Sequence, residues 1–279
     1  TDDELMEKFF GGEAFTTEEI VEGMRKGVKD GLITPVFCGD AQLCYGIEQL
    51  LNGLIWLAPS AADKGTELGM DTDGNPEELS VNEDGAAAAI VFKTIADPFV
   101  GKLSYLKVIS GKISTDTPLV NMRTGNQERI GKTVVIRGKK QEDTPYIAAG
   151  DIGAVPKLQG TNTGDTLCSP TRKITLEGIT YPNPTLSMAV YPKNKGEEDK
   201  VAQGILRLVE EDPTIKFENN AETHEMVLSG LGEQHLDVIV SKLKSKFGVE
   251  VTLQKPKVPY RETIRKKVQV QGRHKKQTG

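Results

Sequence analysis

The side chains with chemical reach are few and scattered. Three cysteines, Cys38, Cys44 and Cys168, show no Cys-x-x-Cys spacing and are odd in number, which suits a reducing compartment better than a disulfide framework. The three histidines, His224, His235 and His274, lie too far apart to suggest a zinc set. No Ser/His/Asp set and no paired carboxylates in a motif context are found, so a free-standing enzyme fares badly. Three stretches imitate known chemistry. Asp71-Thr72-Asp73-Gly74-Asn75 resembles part of a calcium loop, but the ligand positions and the closing Glu are out of register. Gly125-Asn126-Gln127-Glu128-Arg129-Ile130-Gly131-Lys132-Thr133 resembles a phosphate loop, but its glycines stand one residue too far apart and it lies between strand-like runs, so it reads as a hairpin loop. Asn194-Lys195-Gly196-Glu197 imitates a guanine-specificity motif, yet it precedes a helix pattern instead of following a parallel strand. The remaining candidates are cations near the C-terminus: Arg265, Lys266, Lys267, Arg273, His274, Lys275 and Lys276. With no aromatic platform nearby, their chemistry is salt-sensitive contact with nucleic-acid phosphate, and a merely solvated basic tail is the open alternative.

Charge is segregated in support of that focus. The net charge is −5, but residues 1–84 hold 5 basic and 19 acidic residues while 255–279 hold 9 basic and 1 acidic. At 279 residues the chain is long enough for two or three small domains, and 37% apolar with 27% charged residues is ordinary for a globular protein. No run of about 18 apolar residues exists, so no membrane span is expected. The N-terminus TDDELMEKFF lacks a basic flank, an apolar core of signal-peptide length and an initiator Met, and the chain reads as an excised piece.

The elements that must position these residues follow from pattern. Residues 2–10 and 17–30 read as helices, the second opened by Thr16-Thr17-Glu18-Glu19 as a cap with first-turn acids. Ile33–Cys38 reads as a buried strand and Ile47–Leu57 as a helix, together the closing unit of a parallel α/β sheet whose other strands are elsewhere. Residues 61–84, rich in Gly, Asp, Glu, Asn and Ser, read as a flexible linker. Over 85–178, short strands at Ala88–Ile95, Leu103–Ile109, Pro118–Val120, Gly131–Ile136 and Ile152–Val155, punctuated by turn signals, predict a closed all-β barrel. Over 179–258 the order is strand Leu186–Tyr191, helix Glu197–Glu211, strand Thr214–Phe217, a hairpin at Asn219-Asn220, strand His224–Leu228, a Leu-Ser-Gly-Leu-Gly turn, a helix and strand Val249–Leu253. That βαββαβ order is the α+β ferredoxin-like split motif. Its second helix puts Leu236, Ile239, Val240, Leu243 and Phe247 on one face, with Gly248 placed as a left-handed C-terminal cap.

The run Gly230-Leu231-Gly232-Glu233-Gln234-His235-Leu236-Asp237 resembles the Gly-Met-Gly-Glu-Leu-His-Leu-Glu signature of the third domain of elongation factor G and its translational GTPase relatives. Four blocks resemble the second domain of that group: Asp97-Pro98-Phe99-Val100-Gly101-Lys102-Leu103, Val108-Ile109-Ser110-Gly111, Ala149-Gly150-Asp151-Ile152 and Thr163-Gly164-Asp165-Thr166-Leu167. Gly272 to Gly279 resembles the opening of the fourth domain, over a segment 259–279 that would be its truncated start. The resemblance implies that 1–60 ends a GTP-binding domain, with Gly39, Asp40 and Ala41 in the loop that approaches the guanine; Asp40 departs from the usual Ser. It further implies a GTP-driven translocase that uses GTP and Mg as a whole protein, in the cytoplasm, as a monomer, with the ribosome, its RNA and small-subunit proteins, as partner. The phosphate loop and switch motifs are absent from this sequence, so the chain itself is expected to hold no cofactor and to hydrolyse no GTP. A ribosomal-protection protein, a release-factor relative and a noncatalytic ribosome-binding paralogue share this domain set.

Overall fold

The computed structural model describes residues 3–97, 101–138 and 140–274. It divides into two compact units, with the boundary between Thr180 and Tyr181. The turn residues Pro98, Phe99 and Val100 and the cations Lys275 and Lys276 lie outside the described residues.

The first unit opens with α1 (Asp3–Phe10), α2 (Thr17–Lys29) and α3 (Ile47–Leu57). Thr16 caps α2 in a capping box, accepting from the Glu19 N–H while Glu19 accepts from the Thr16 N–H at 2.8 Å. The expected strand at Ile33–Cys38 does not form: the segment is irregular and largely exposed. A lone parallel strand has no neighbour to take its N–H and C=O groups. The segment lies instead against the two helices, with Ile33 over Gly27 of α2 and Phe37 over Gly53 of α3, so close that neither glycine could carry a Cβ in place. Phe9, Phe10, Val36, Ile55 and Trp56 are left more than half exposed.

Residues 61–84 also differ from the flexible linker that their composition suggests. They form a short helix, α4 (Ala61–Lys64), and a hairpin of β1 (Thr66–Met70) and β2 (Pro76–Ser80), not an unstructured linker. Leu79 is fully buried, clustered with Ile109, Ile174 and Leu176, which supplies the tertiary support that local composition lacks.

The β region follows as β3 (Ala88–Asp97), β4 (Gly101–Ser110), β5 (Lys112–Ser114), β6 (Pro118–Asn121), β7 (Gln127–Arg129), β8 (Thr133–Arg137), β9 (Lys140–Thr144), β10 (Tyr146–Ala148), β11 (Ile152–Pro156), β12 (Thr166–Cys168) and β13 (Thr175–Leu176). Eight of these pair in the order β7-β6-β12-β3-β4-β11-β8-β9, β10 pairs with β5, and β13 joins the β1–β2 hairpin. Among the described residues no ladder joins β7 to β9. One core nevertheless takes Ala89 and Val91 from β3, Leu106 and Val108 from β4, Leu119 from β6 and Val155 from β11, together with Ile113 and Ile147 of the β5–β10 pair. Strands distant in the sheet order thus share one interior, as a rolled, barrel-like sheet requires.

The second unit is β14 (Leu186–Pro192), α5 (Glu198–Glu211), β15 (Lys216–Asn220), β16 (Glu225–Gly230), α6 (Glu233–Phe247) and β17 (Val251–Gln254). The sheet order β15-β16-β14-β17, antiparallel throughout, is the ferredoxin-like arrangement. Val201, Ile205 and Leu208 of α5 and Leu236, Ile239 and Leu243 of α6 share a core with Val190, Leu228 and Val251. Val240 and Phe247 pack against it partly buried. Gly248 takes the left-handed cap at φ 64°, its N–H donating to Lys244 O at 3.1 Å. Two local expectations are revised. Asn219 and Asn220 belong to β15, opposite Met226 and Glu225, and the reversal uses 221–224; the Asn220 Oδ1 accepts from the Glu222 and Thr223 N–H groups at 2.9 and 3.1 Å. Leu228, Ser229 and Gly230 extend β16 instead of turning. In the β14–β17 pair Ala189 lies opposite Gln254 and Pro192 opposite Val251, so the chain enters and leaves this sheet at the same end.

Candidate functional site

The loop leading into α3 is built by its own side chain. The Asp40 N–H donates to Tyr45 O at 2.9 Å, and Asp40 Oδ1 accepts from the Gln42 and Leu43 N–H groups at 2.8 and 3.0 Å. Gly46 closes the loop at φ 74°, where a Cβ would strike the Cys38 carbonyl, so only glycine fits. Gly39, Asp40 and Ala41 are all exposed. Asp40 therefore acts as the turn's internal acceptor, and the Ala41 N–H is left without a partner among the described residues.

In the second unit the His235 side chain joins the two helices. Its Nδ1 accepts from the Leu231 N–H at 3.1 Å, and its Nε2 lies 3.0 Å from Asp212 Oδ2. This geometry places the neutral imidazole's proton on Nε2, donated to Asp212. Asp212 is itself the C-terminal cap residue of α5, and its Oδ1 also accepts from the Thr214 N–H and hydroxyl at 2.9 and 2.5 Å. Gly230 allows the approach, since a Cβ there would meet Leu236 Cδ2 and His235 Nδ1 at 2.9 and 3.0 Å. Burial pushes the Asp212 carboxyl up, but the Thr214 bonds and the His235 side chain outweigh it and hold it below the ordinary carboxylate range. This bracing contributes fully above the unfolded carboxyl's range near about pH 4, and is lost as pH falls through the lower folded value. Replacing His235 by Ala is expected to cost the second unit about 1–2 kcal/mol and to speed amide exchange in the first turn of α6, measured by hydrogen exchange at neutral pH.

A buried polar network in the β region joins residues of two stretches singled out in the sequence, Thr163–Leu167 and Gly125–Thr133, to partners that no local pattern indicates. Asp165, 5% exposed, accepts from Arg123 Nε at 2.6 Å, from Arg123 Nη2 at 2.9 Å, from Asn121 Nδ2 at 2.8 Å and from the Asn162 N–H at 2.8 Å. Glu128, inside the stretch that imitates a phosphate loop, accepts from the Gly160 N–H at 2.8 Å and the Thr161 hydroxyl at 2.9 Å. These bonds fasten the β6–β7 hairpin to the loop before β12. The other two imitations are likewise structural: Asp71 Oδ1 accepts from the Asp73 and Asn75 N–H groups at 2.8 Å in the β1–β2 turn, and Asn194 donates to Glu197 at 3.0 Å ahead of α5.

The basic segment is anchored at its root. The Lys257 N–H donates to Glu225 Oε2 at 2.9 Å, and Arg261 pairs with Glu222. Beyond this, Arg265, Lys266, Lys267, Arg273 and His274 are exposed on irregular chain, and no strand forms between 258 and 274.

Comparison with known proteins gives this architecture its place. Residues 86–170 match the family model described as elongation factor G domain 2, and residues 181–255 match elongation factor G domain III. Elongation factor G of Fervidobacterium nodosum is 39% identical over 278 residues, covering 100% of this chain and 40% of that protein. A crystal structure from Thermus thermophilus has a TM-score of 0.75 at 32% identity, over 95% of this chain and 37% of that one. A rolled β-sheet domain followed by a ferredoxin-like domain is thus matched, in order, by two domains of elongation factor G, and the chain spans less than half the length of these relatives. The chain carries the second and third domains of the elongation factor G family.

Proposed function

We propose that this chain is the middle section of a GTP-driven ribosomal translocase, in which it contacts the ribosome and passes conformational change from a nucleotide domain to later domains. The observation that carries this reading is collinearity: the match to Fervidobacterium elongation factor G runs across 100% of the chain and through both domains in order. Residues 1–60 are the end of the GTP-binding domain in this reading. It is supported by α2 and α3 flanking an unpaired apolar segment, with Phe9, Val36, Ile55 and Trp56 exposed where a parallel sheet would cover them. Residues 85–178 are the barrel, closed in solution, and 259–279 begin a fourth domain. Gly39 and Ala41 suit the edge of a guanine, because the Ala41 N–H is unspent while Asp40 is consumed by its own turn. GTP and Mg belong to the longer protein, and no residue of this chain is assigned to the nucleotide's phosphates or to Mg. Arg265, Lys266, Lys267, Arg273 and His274 offer phosphate contacts to ribosomal RNA, joined by Lys275 and Lys276. The protein works in the cytoplasm as a monomer; no helix among the described residues is long and apolar enough to cross a membrane.

Two measurements test this. The purified chain is expected to release phosphate from GTP at buffer background only, and turnover above background contradicts the middle-section reading. Co-sedimentation with ribosomes is expected at low salt and should fade steeply as salt rises. Failure to sediment at any salt removes the contact role.

A further inference from the structure

The β1–β2 hairpin borders an open cleft of about 610 Å³. Its floor is apolar: Ile109 and Leu176 are 3% and 5% exposed, and Ile90 is half-buried. Its rim is acidic. Glu78 on β2 and Glu177 just beyond β13 bring carboxylates that make no hydrogen bond or ion pair among the described residues. Their neighbours do: Glu67 pairs with Lys64 on the same rim, Glu77 with Arg172, and Asp63 with Arg25. Three carboxylates and one ammonium thus line the cleft, and after the Lys64–Glu67 pair two exposed carboxylates, Glu78 and Glu177, remain without a cation among the described residues, over apolar side chains.

An apolar floor between unmatched carboxylates suits a long cationic side chain, whose alkyl stem covers the floor while its head stays at the polar rim. Arginine fits better than lysine, because its planar fork can engage carboxylates in pairs and is more weakly hydrated. Phosphate and RNA are disfavoured by like charge. We infer that this cleft receives an arginine side chain from a basic segment of a partner protein. Such a role is independent of the nucleotide and ribosomal-RNA contacts proposed above.

The test is a methyl NMR titration of the full chain, labelled at Ile and Leu, with a terminally blocked Gly-Arg-Gly tripeptide. Its citrulline counterpart, of the same shape but neutral, is the control. Saturable shifts are expected at Ile90, Ile109 and Leu176 with the arginine peptide and not with the citrulline peptide. The Glu78→Gln/Glu177→Gln variant should weaken binding at least about tenfold, because both charge-assisted contacts are lost. Unchanged Ile113 and Ile147 methyl resonances in that variant show that the domain core is intact. Arginine capture is overturned if these cleft methyls do not shift, if the citrulline peptide shifts them equally, if the double variant binds as well as the parent, or if a short RNA oligonucleotide occupies the cleft instead.

Discussion

Replacing Asp165 by Ala should destabilise the β region by about 3–5 kcal/mol, the range for removing one partner of a buried ion pair. Four donors converge on this carboxylate, and Asn121, fully buried, would lose its 2.8 Å acceptor and keep only the longer 3.3 Å bond to the Thr161 hydroxyl. Arg123, about half exposed, can recover solvation, which favours the lower part of the range. Burial raises the Asp165 carboxyl, but the bonds from Arg123, Asn121 and Asn162 outweigh it and keep it below its usual range. Its stabilisation is therefore complete above about pH 4 and vanishes as pH drops through the folded value, so wild type and Asp165→Ala should converge in acid. Cys168 provides the readout. It is fully buried in β12, whereas Cys38 and Cys44 are exposed, so one slow thiol among three reports opening of this domain. Its labelling rate at neutral pH should rise sharply in the variant, and a rate equal to wild type contradicts the assignment. Replacing Asp116 by Asn, which keeps the left-handed backbone at φ 63° and removes only a bond to Arg129 that is solvent-exposed on both sides, should leave that rate nearly unchanged.

The second large effect is expected at the helix crossing of the ferredoxin-like domain. Leu243 is fully buried, and a Cβ at Gly204 of α5 would stand 3.0 Å from its Cδ2, so the two helices approach closely at this point. Truncating Leu243 to Ala removes the side chain that fills the space over Gly204, and Gly204 has no side chain of its own to move into the gap. A loss of about 2–5 kcal/mol follows, toward the upper end if the cavity stays open. Val240→Ala, on a partly buried position of the same helix, is the comparison and should cost distinctly less. Urea unfolding followed by amide signals of α5 and α6 separates the two; equal midpoints for both variants would show that the crossing does not anchor the domain.

What was legible in the sequence was periodic. The α6 face at Leu236, Ile239 and Leu243, its Gly248 cap and the βαββαβ order all survive in the structure, because a repeat of 3.6 residues and a left-handed glycine are local facts. What was not legible was made by distant partners. The β1–β2 hairpin looks like a linker because Leu79 draws its support from Ile174 and Leu176, far along the chain. Arg123 and Asp165 are 42 positions apart; Asp165 stands in a recognisable block, but nothing in that block names Arg123 as its partner. Ile33–Cys38 has the composition of a strand but no strand beside it. Asn219-Asn220 has the composition of a turn, yet cross-strand register with Met226 and Glu225 keeps it in the ladder. Of the candidate site residues, Gly39, Asp40 and Ala41 do share one turn, but the bonding of Asp40 within it could be read only from the folded loop.

The shared exit of β14 and β17 has a mechanical consequence. Outer anchors guard it: Lys257 and Arg261 are held by Glu225 and Glu222 on the outgoing side, and Thr185 by Gly230 on the incoming side. Once these have let go, tension through the segments before Leu186 and after Gln254 would load the Ala189–Gln254 pair of this ladder and then advance toward Pro192–Val251. Bonds of about 0.5–1.5 kcal/mol net would then yield one after another, as in a zipper, and never all together as in a sheared lap joint. Under tension of that kind the domain has a compliant seam at its own doorway, while the core under α5 and α6 remains unloaded until the seam has opened.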